Sequence, residues 1–252
     1  MKTVSPLALV VVLLVTACSA PGASGAPSAS LDGRTFLSNG VTGHALVPGS
    51  TVRLQFEGGR IGGGAGCNQI SGPYTIVDGK LALGQVAMTA MGCEQPLMDQ
   101  DSWLVSFLGG AKVTLAGDTL TLANGDVTMS LTDRKVADPD RPLEGTRWVV
   151  DGIVTGGAVS SVPAGVTAAL TIADGKLALE AGCNVGGGSV MIKPGTMTVG
   201  PLMLTKKACE AGPSMVESAV LDVLTGDVAY AIEADRLTLT NGQNGLTLRA
   251  AS

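Results

Sequence analysis

The chain has 252 residues, 36 of them Gly, with 45% hydrophobic, 15% charged and 3% aromatic side chains and a formal net charge of −5 at neutral pH. This acidity excludes the basic footprint of a nucleic-acid-binding surface, and the apolar fraction is too high for global disorder. With aromatic residues scarce, a core has to be assembled from Val, Leu, Ile, Met and Ala, and the glycine content implies many turns.

The first element in chain order is an export signal. Lys2 supplies a short positive region, and Leu7 to Ala17 form an apolar run of 11 residues, well short of the roughly 20 that cross a bilayer as a helix. Residues 1–17 therefore read as a signal peptide. Val15-Thr16-Ala17-Cys18 resembles the lipobox of bacterial lipoproteins, in which the thiol of Cys18 attacks the lipid donor and becomes the first residue of the mature chain. Ser19 to Ser30 is almost entirely Ser, Ala, Pro and Gly, so residues 18–30 are expected to be a lipidated cysteine and a tether too poor in apolar side chains to fold. Each buried acyl CH₂ contributes about 0.8 kcal/mol, so two chains on Cys18 hold a protein on a membrane without a spanning helix. Lys2 is the only charge removed with residues 1–17, which leaves 15 basic against 21 acidic side chains. Adhesion to an anionic membrane then has to come from the lipid.

Beyond the tether the chain repeats itself. Ala65-Gly66-Cys67-Asn68 returns as Ala181-Gly182-Cys183-Asn184 at an offset of 116, and Gly84, Thr89 and Cys93 return as Gly200, Thr205 and Cys209 at the same offset. Leu31-Asp32-Gly33 parallels Leu143-Glu144-Gly145 at 112, and Asp118 to Leu122 parallels Asp235 to Leu239 at 117. The small shifts fall between matched blocks, where loops absorb length changes. Asp133 to Pro142 is polar and holds two prolines. The organisation expected is thus a first domain at 31–134, a linker at 135–141 and a diverged second domain at 142–252, each domain long enough to fold independently.

Inside each unit the apolar period is mostly two. Val52, Leu54 and Phe56 alternate before Gly58-Gly59; Leu81 and Leu83 alternate; Thr119 to Ala123 alternates before Asn124-Gly125, a hairpin signal that Asp174-Gly175 and Asn241-Gly242 repeat in the second unit. One segment per unit has helical spacing instead: Leu97, Leu104, Val105 and Leu108 after Pro96, and Val216, Ala219, Val220, Val223 and Leu224 between Pro213 and Gly226. The predicted fold class is α+β, mainly antiparallel β, with two tandem partial barrels each covered by one packed helix.

Several of these segments carry a resemblance. Gly64-Ala65-Gly66-Cys67-Asn68, Ser71-Gly72-Pro73-Tyr74 and Met88-Thr89-Ala90-Met91-Gly92-Cys93 ahead of the helix, with the closing Asp118-Thr119-Leu120-Thr121-Leu122, look like the META domain (HslJ-like) family, here as a tandem bacterial lipoprotein. The second unit keeps Ala181 to Asn184, Thr205 and Cys209 but has Gly187-Gly188-Ser189 in place of the Ser-Gly-x-Tyr piece. The resemblance implies a β-rich fold with one helix and an envelope or stress-related role. It supplies no reaction.

Four cysteines follow Cys18. Outside the cytoplasm disulfides persist, and because identical folds close identical loops the repeat favours Cys67–Cys93 and Cys183–Cys209 over the other two connectivities. A reduced pair packed as small hydrophobes is the competing reading. His44, in Gly43-His44-Ala45, is the only histidine, so a Ser-His-Asp or multi-histidine zinc site is not expected; it reads as a solvent-exposed loop residue. Gly62-Gly63-Gly64-Ala65-Gly66 lacks the Gly-Lys-Ser/Thr ending of a phosphate loop, and with Gly186-Gly187-Gly188 it reads as turns or bulges. Asp99 and Asp101 read as the solvated face of their helix. No catalytic residue, metal or cofactor is expected. The function these observations favour is a non-enzymatic lipoprotein on the extracytoplasmic face of the cell membrane, palmitate-type lipid on Cys18, with a binding or scaffolding role in the envelope and in stress or antibiotic tolerance. Its partners are expected to be the membrane and an envelope protein. A carrier of a small hydrophobic or lipidic ligand and an unrecognised hydrolase are the alternatives.

Overall fold

A computed structural model describes residues 30–251. Cys18, the signal peptide and all but the last residue of the tether lie outside the described residues. Unit one runs β1 (Arg34–Thr42), β2 (Arg53–Glu57), β3 (Arg60–Gly64), β4 (Ile70–Val77), β5 (Lys80–Leu83), β6 (Ala87–Met88), α1 (Gln95–Leu108), β7 (Lys112–Ala116), β8 (Thr119–Asn124) and β9 (Val127–Asp133). A short helix, α2 (Arg134–Ala137), opens the connection. Unit two runs β10 (Arg147–Thr155), β11 (Ala158–Ser161), β12 (Ala168–Ala173), β13 (Lys176–Ala181), β14 (Val185–Lys193), β15 (Thr196–Val199), β16 (Met203–Leu204), α3 (Ala211–Val223), β17 (Gly226–Glu233), β18 (Arg236–Asn241) and β19 (Asn244–Ala250).

The mainly antiparallel sheets and packed helices match the expected class, but the curl goes further than a partial barrel. In unit one the order β3-β2-β1-β9-β8-β7-β5-β4 returns to its start through a β3–β4 pairing. In unit two β10 pairs with β19 and completes the same ring. Closure depends on long strands that serve two partners. The first half of β4 pairs with β3 and its second half with β5; β14 does the same between β13 and β15. A bulge bends each ring at one place, between Ser38 and Gly40 against β9, and between Val150 and Gly152 against β19. A closed ring removes the unpaired edges that an open sheet would expose.

Alternation then decides what fills the rings. Leu54 and Phe56 on β2, Leu120 and Leu122 on β8 and Met129 and Leu131 on β9 are fully buried, and Phe56 meets Phe36 and Tyr74 edge to face. Unit two has Trp148, Leu170, Leu179, Leu237 and Leu246 in the same role, with the indole N–H donating to the Leu143 carbonyl at 3.1 Å. Both interiors are packed cores.

α1 packs Leu104, Phe107 and Leu108 inward, and α3 packs Val216, Val220 and Val223. α3 starts two residues before Pro213 and ends at Val223, and Gly226 begins β17 rather than closing the helix. The predicted Asn-Gly hairpins form, and they do a second job. Asn124 Nδ2 donates to the Phe107 and Gly109 carbonyls at 2.9 and 3.1 Å; Asn241 Nδ2 donates to those of Val223 and Thr225 at 3.1 and 2.8 Å. Each hairpin thus satisfies carbonyls that the end of its helix leaves open.

The glycine tracts, expected as turns or bulges, are all strand except Gly66, which lies in the bend after β3. Gly62 to Gly64 lie in β3 and Gly186 to Gly188 in β14. A Cβ on Gly63 would strike the Arg53 carbonyl, and one on Gly187 that of Leu177. Glycine is needed there for close backbone approach between strands.

Candidate functional site

One arrangement recurs in both units and joins the residues that the repeat singled out. In unit one it is centred on Asn68, in the turn between β3 and β4. Asp101, from the second turn of α1, accepts the backbone N–H of Asn68 at 2.7 Å, the side-chain N–H of Asn68 at 3.2 Å and the backbone N–H of Cys67 at 3.3 Å. The side-chain oxygen of Asn68 accepts from Thr89 Oγ1 at 2.9 Å and from the Met91 amide at 2.8 Å. Thr89 Oγ1 accepts in turn from the Gln69 amide at 3.0 Å. A carboxylate on the helix, an amide in the turn and a hydroxyl on the segment after β6 thereby lock three elements together.

Unit two rebuilds this around a longer acid and without the bond from the cysteine amide. Glu217 of α3 accepts the Asn184 backbone N–H at 2.8 Å and its side-chain N–H at 3.2 Å. Asn184 Oδ1 accepts from Thr205 Oγ1 at 2.7 Å and from the Lys207 amide at 2.8 Å. Glutamate replaces aspartate, and the longer side chain spans from a half-buried position. Both asparagines are buried at 5% exposure, so each network works where an unmet polar group is costly.

The cysteines flank these networks. Cys67 and Cys93 stand at disulfide distance with Cα atoms 6.3 Å apart, and Cys183 and Cys209 with Cα atoms 6.1 Å apart. The other segment that each pair ties down is the one carrying Thr89 or Thr205.

Two sequence readings need correction. Asp101 is not on a solvated face: it is 1% exposed, because Leu97, Asp101, Leu104 and Leu108 share one side of α1. Asp99 keeps the outer position and accepts from Gln95 Nε2 at 2.8 Å. His44 is half-buried, its ring stacked on Trp103 at 3.8 Å and 7°. It gets there because the 43–50 loop is pulled onto α1 by buried Gln100, which accepts from the Val47 amide at 2.5 Å and donates to Ser50 Oγ at 2.8 Å. The signal for Asp101 was available, since Asp101 and Glu217 are both acidic at the offset of 116. Nothing local pointed to the His44 stack.

On the surface, unit two has an apolar groove of about 440 Å³ between α3 and the segment linking β15 to β16, lined by residues including Val199, Pro201, Leu202, Leu204, Leu221 and Leu224. Tyr74 sits over the unit-one core, and burial raises its phenol pKa, with Asp32 adding to the effect. Among the described residues no group of three or more His, Cys, Asp or Glu is placed to hold a metal ion, and no helix is long and apolar enough to cross a membrane.

The doubled fold and doubled network define a tandem repeat of one small β-barrel domain. The family model of the META domain matches twice, over residues 29–136 and 141–252, and the chain belongs to the META domain family. Among solved structures, an NMR structure of a protein from Burkholderia xenovorans is 25% identical, covers 44% of this chain and 84% of its own, and has a TM-score of 0.39. A second NMR structure is 28% identical over 40% of this chain and 90% of its own, with a TM-score of 0.35. The DNA polymerase III beta subunit of Thermotoga maritima is 9% identical over 86% of this chain and 56% of its own, with a TM-score of 0.16. No curated protein matches.

Proposed function

We propose that this chain is a lipid-anchored, extracytoplasmic binding or scaffolding protein of the cell envelope, non-enzymatic, held through Cys18 and binding through the outer surfaces of its two META units. The observation that supports it most is where the exposed apolar side chains fall. Both barrel interiors are filled, while four of the ten large apolar side chains exposed among the described residues recur at matching places in the two units: Met88 on β6 and Met203 on β16, 39% and 80% exposed, and Met91 and Val185, each two residues from a paired cysteine, 59% and 44% exposed. Methionine is adaptable at binding surfaces, and two similar surfaces on one anchored chain raise the effective concentration of the second contact.

The anchor is tested by the intact mass of the chain from the membrane fraction. The expected species begins at Cys18 and carries acyl chains, and Cys18→Ser moves the protein to the soluble fraction. A chain that keeps residues 1–17, or that stays membrane-bound after Cys18→Ser, contradicts the anchor. Deletion is expected to lower envelope integrity or stress and antibiotic tolerance; unchanged tolerance contradicts that part.

The groove of unit two favours a second reading, carriage of a small hydrophobic or lipidic ligand on the outside of a barrel. Native mass spectrometry decides it: a bound apolar molecule lost on Leu204→Glu supports carriage, and a ligand-free spectrum contradicts it.

A further inference from the structure

The connection between the units is built rather than loose. Its first turn is fixed to unit one: Asp133 accepts from the Lys135 amide at 2.9 Å and from Arg34 Nε at 2.6 Å. Arg134, 7% exposed, donates to the Asp138 carbonyl at 3.1 Å and is ion-paired with Asp140. Both backbone groups of Ala234, in the β17–β18 turn of unit two, are then taken by this segment. Its N–H donates to Asp140 Oδ1 at 2.8 Å, and its carbonyl accepts from the Arg141 amide at 2.8 Å. Next to it, Glu233 is ion-paired with Arg53 of β2.

A difference between the two units leaves that turn open to the segment. The matching turn of unit one is occupied from within: Arg34 Nη1 donates to the Gly117 carbonyl at 3.0 Å and Nη2 to Asp118 at 2.8 Å. Gly117 and Ala234 correspond at the offset of 117, and Arg34 corresponds to Thr146 at the offset of 112. Asp133, the other partner of Arg34, corresponds to Ala250. Unit two thus has neither half of this clamp, and the carbonyl that Arg34 holds in unit one is held in unit two by the Arg141 amide of the connection. A guanidinium as buried as that of Arg134 is costly without a partner, so the segment is committed to this path.

We infer that the β17–β18 turn of unit two is a docking surface for unit one and its connecting segment, and that residues 133–141 act as a splint joining the two META units into one body. This is independent of the binding reading, since it concerns the chain's contacts with itself.

Residual dipolar couplings of the intact ¹⁵N-labelled chain test it. One alignment tensor is expected to fit the amides of both units. In the Arg53→Gln/Asp140→Ala/Arg141→Pro variant, which removes the ion pair and both bonds to Ala234, two tensors of different magnitude are expected, with the amide spectrum inside each barrel retained. Two tensors in the unmodified chain overturn the inference. So does a single tensor that persists in the variant, because the named contacts would then not be what joins the units.

Discussion

Asn68 and Asp101, 33 residues apart in sequence, are joined twice through one carboxylate oxygen, by the asparagine's backbone N–H at 2.7 Å and its side-chain N–H at 3.2 Å. The counterpart pair, Asn184 and Glu217, uses both carboxylate oxygens for the same purpose. Helix, turn and the cysteine-bearing segment are thereby fixed without any reaction being implied.

Asp101→Leu removes the acceptor for three donors in a buried place. Unmet donors and lost bonds to a charged acceptor each cost about 1–3 kcal/mol, so unit one should lose roughly 2–4 kcal/mol. Each unit holds one tryptophan, Trp103 or Trp148, so urea unfolding followed in single-tryptophan variants reads the units separately. Glu217→Leu should act on unit two alone.

Reducing the cysteine pairs should shift both transitions. A sequence separation of 26 corresponds to about 3–4 kcal/mol per bond in the chain-entropy model. The networks around Asn68 and Asn184 remain, so the reduced chain should still fold in buffer but unfold at lower denaturant. Guanidinium titrations with and without a thiol reductant measure the difference.

Acid should weaken the connection. Burial pushes the carboxyl of Asp133 up, but hydrogen bonds from Arg34 and the Lys135 amide, together with their charges, bring it below the ordinary range. The Arg134 hydrogen bond is the main cause that holds Asp140 down, against burial, with help from the Ala234 amide. A lowered folded pKa gives stability that is present above the unfolded value of about 4 and is lost as pH falls through the folded value. Urea midpoints between pH 7 and pH 2.5 should therefore drop below about pH 4, and Asp133→Asn with Asp140→Asn should flatten that drop.

Asn124→Ala should leave the Phe107 and Gly109 carbonyls unmet at the end of α1. The cost expected is about 1 kcal/mol, seen as faster amide hydrogen exchange in the last turn of α1 before any change in the barrel. Asn241→Ala should do the same at α3.

Much of this was legible in the sequence wherever the cause was local. Alternation around Leu54, Phe56, Leu120 and Leu122, the Asn-Gly turns and the helical spacing after Pro96 each depend on neighbours a few residues away. The 116-residue offset made the cysteine pairs readable as well, because it compares the chain with itself. Barrel closure was not legible, since it requires β4 and β14 each to pair with two strands. The inner position of Asp101 was written in its spacing from Leu97, Leu104 and Leu108, but its charge argued for solvent. Its partner Asn68 lies across the fold, and only the three-dimensional path shows the donors that make a buried carboxylate tolerable.

Binding through the outer surface beside the cysteine pairs is tested most directly by placing a photo-crosslinking residue at Met88 or Met203 in cells, with the exposed Lys193 as control. A discrete adduct with an envelope protein at Met88 or Met203, absent at Lys193, is the expected result. No adduct at either methionine, or the same adducts at all three positions, would contradict it.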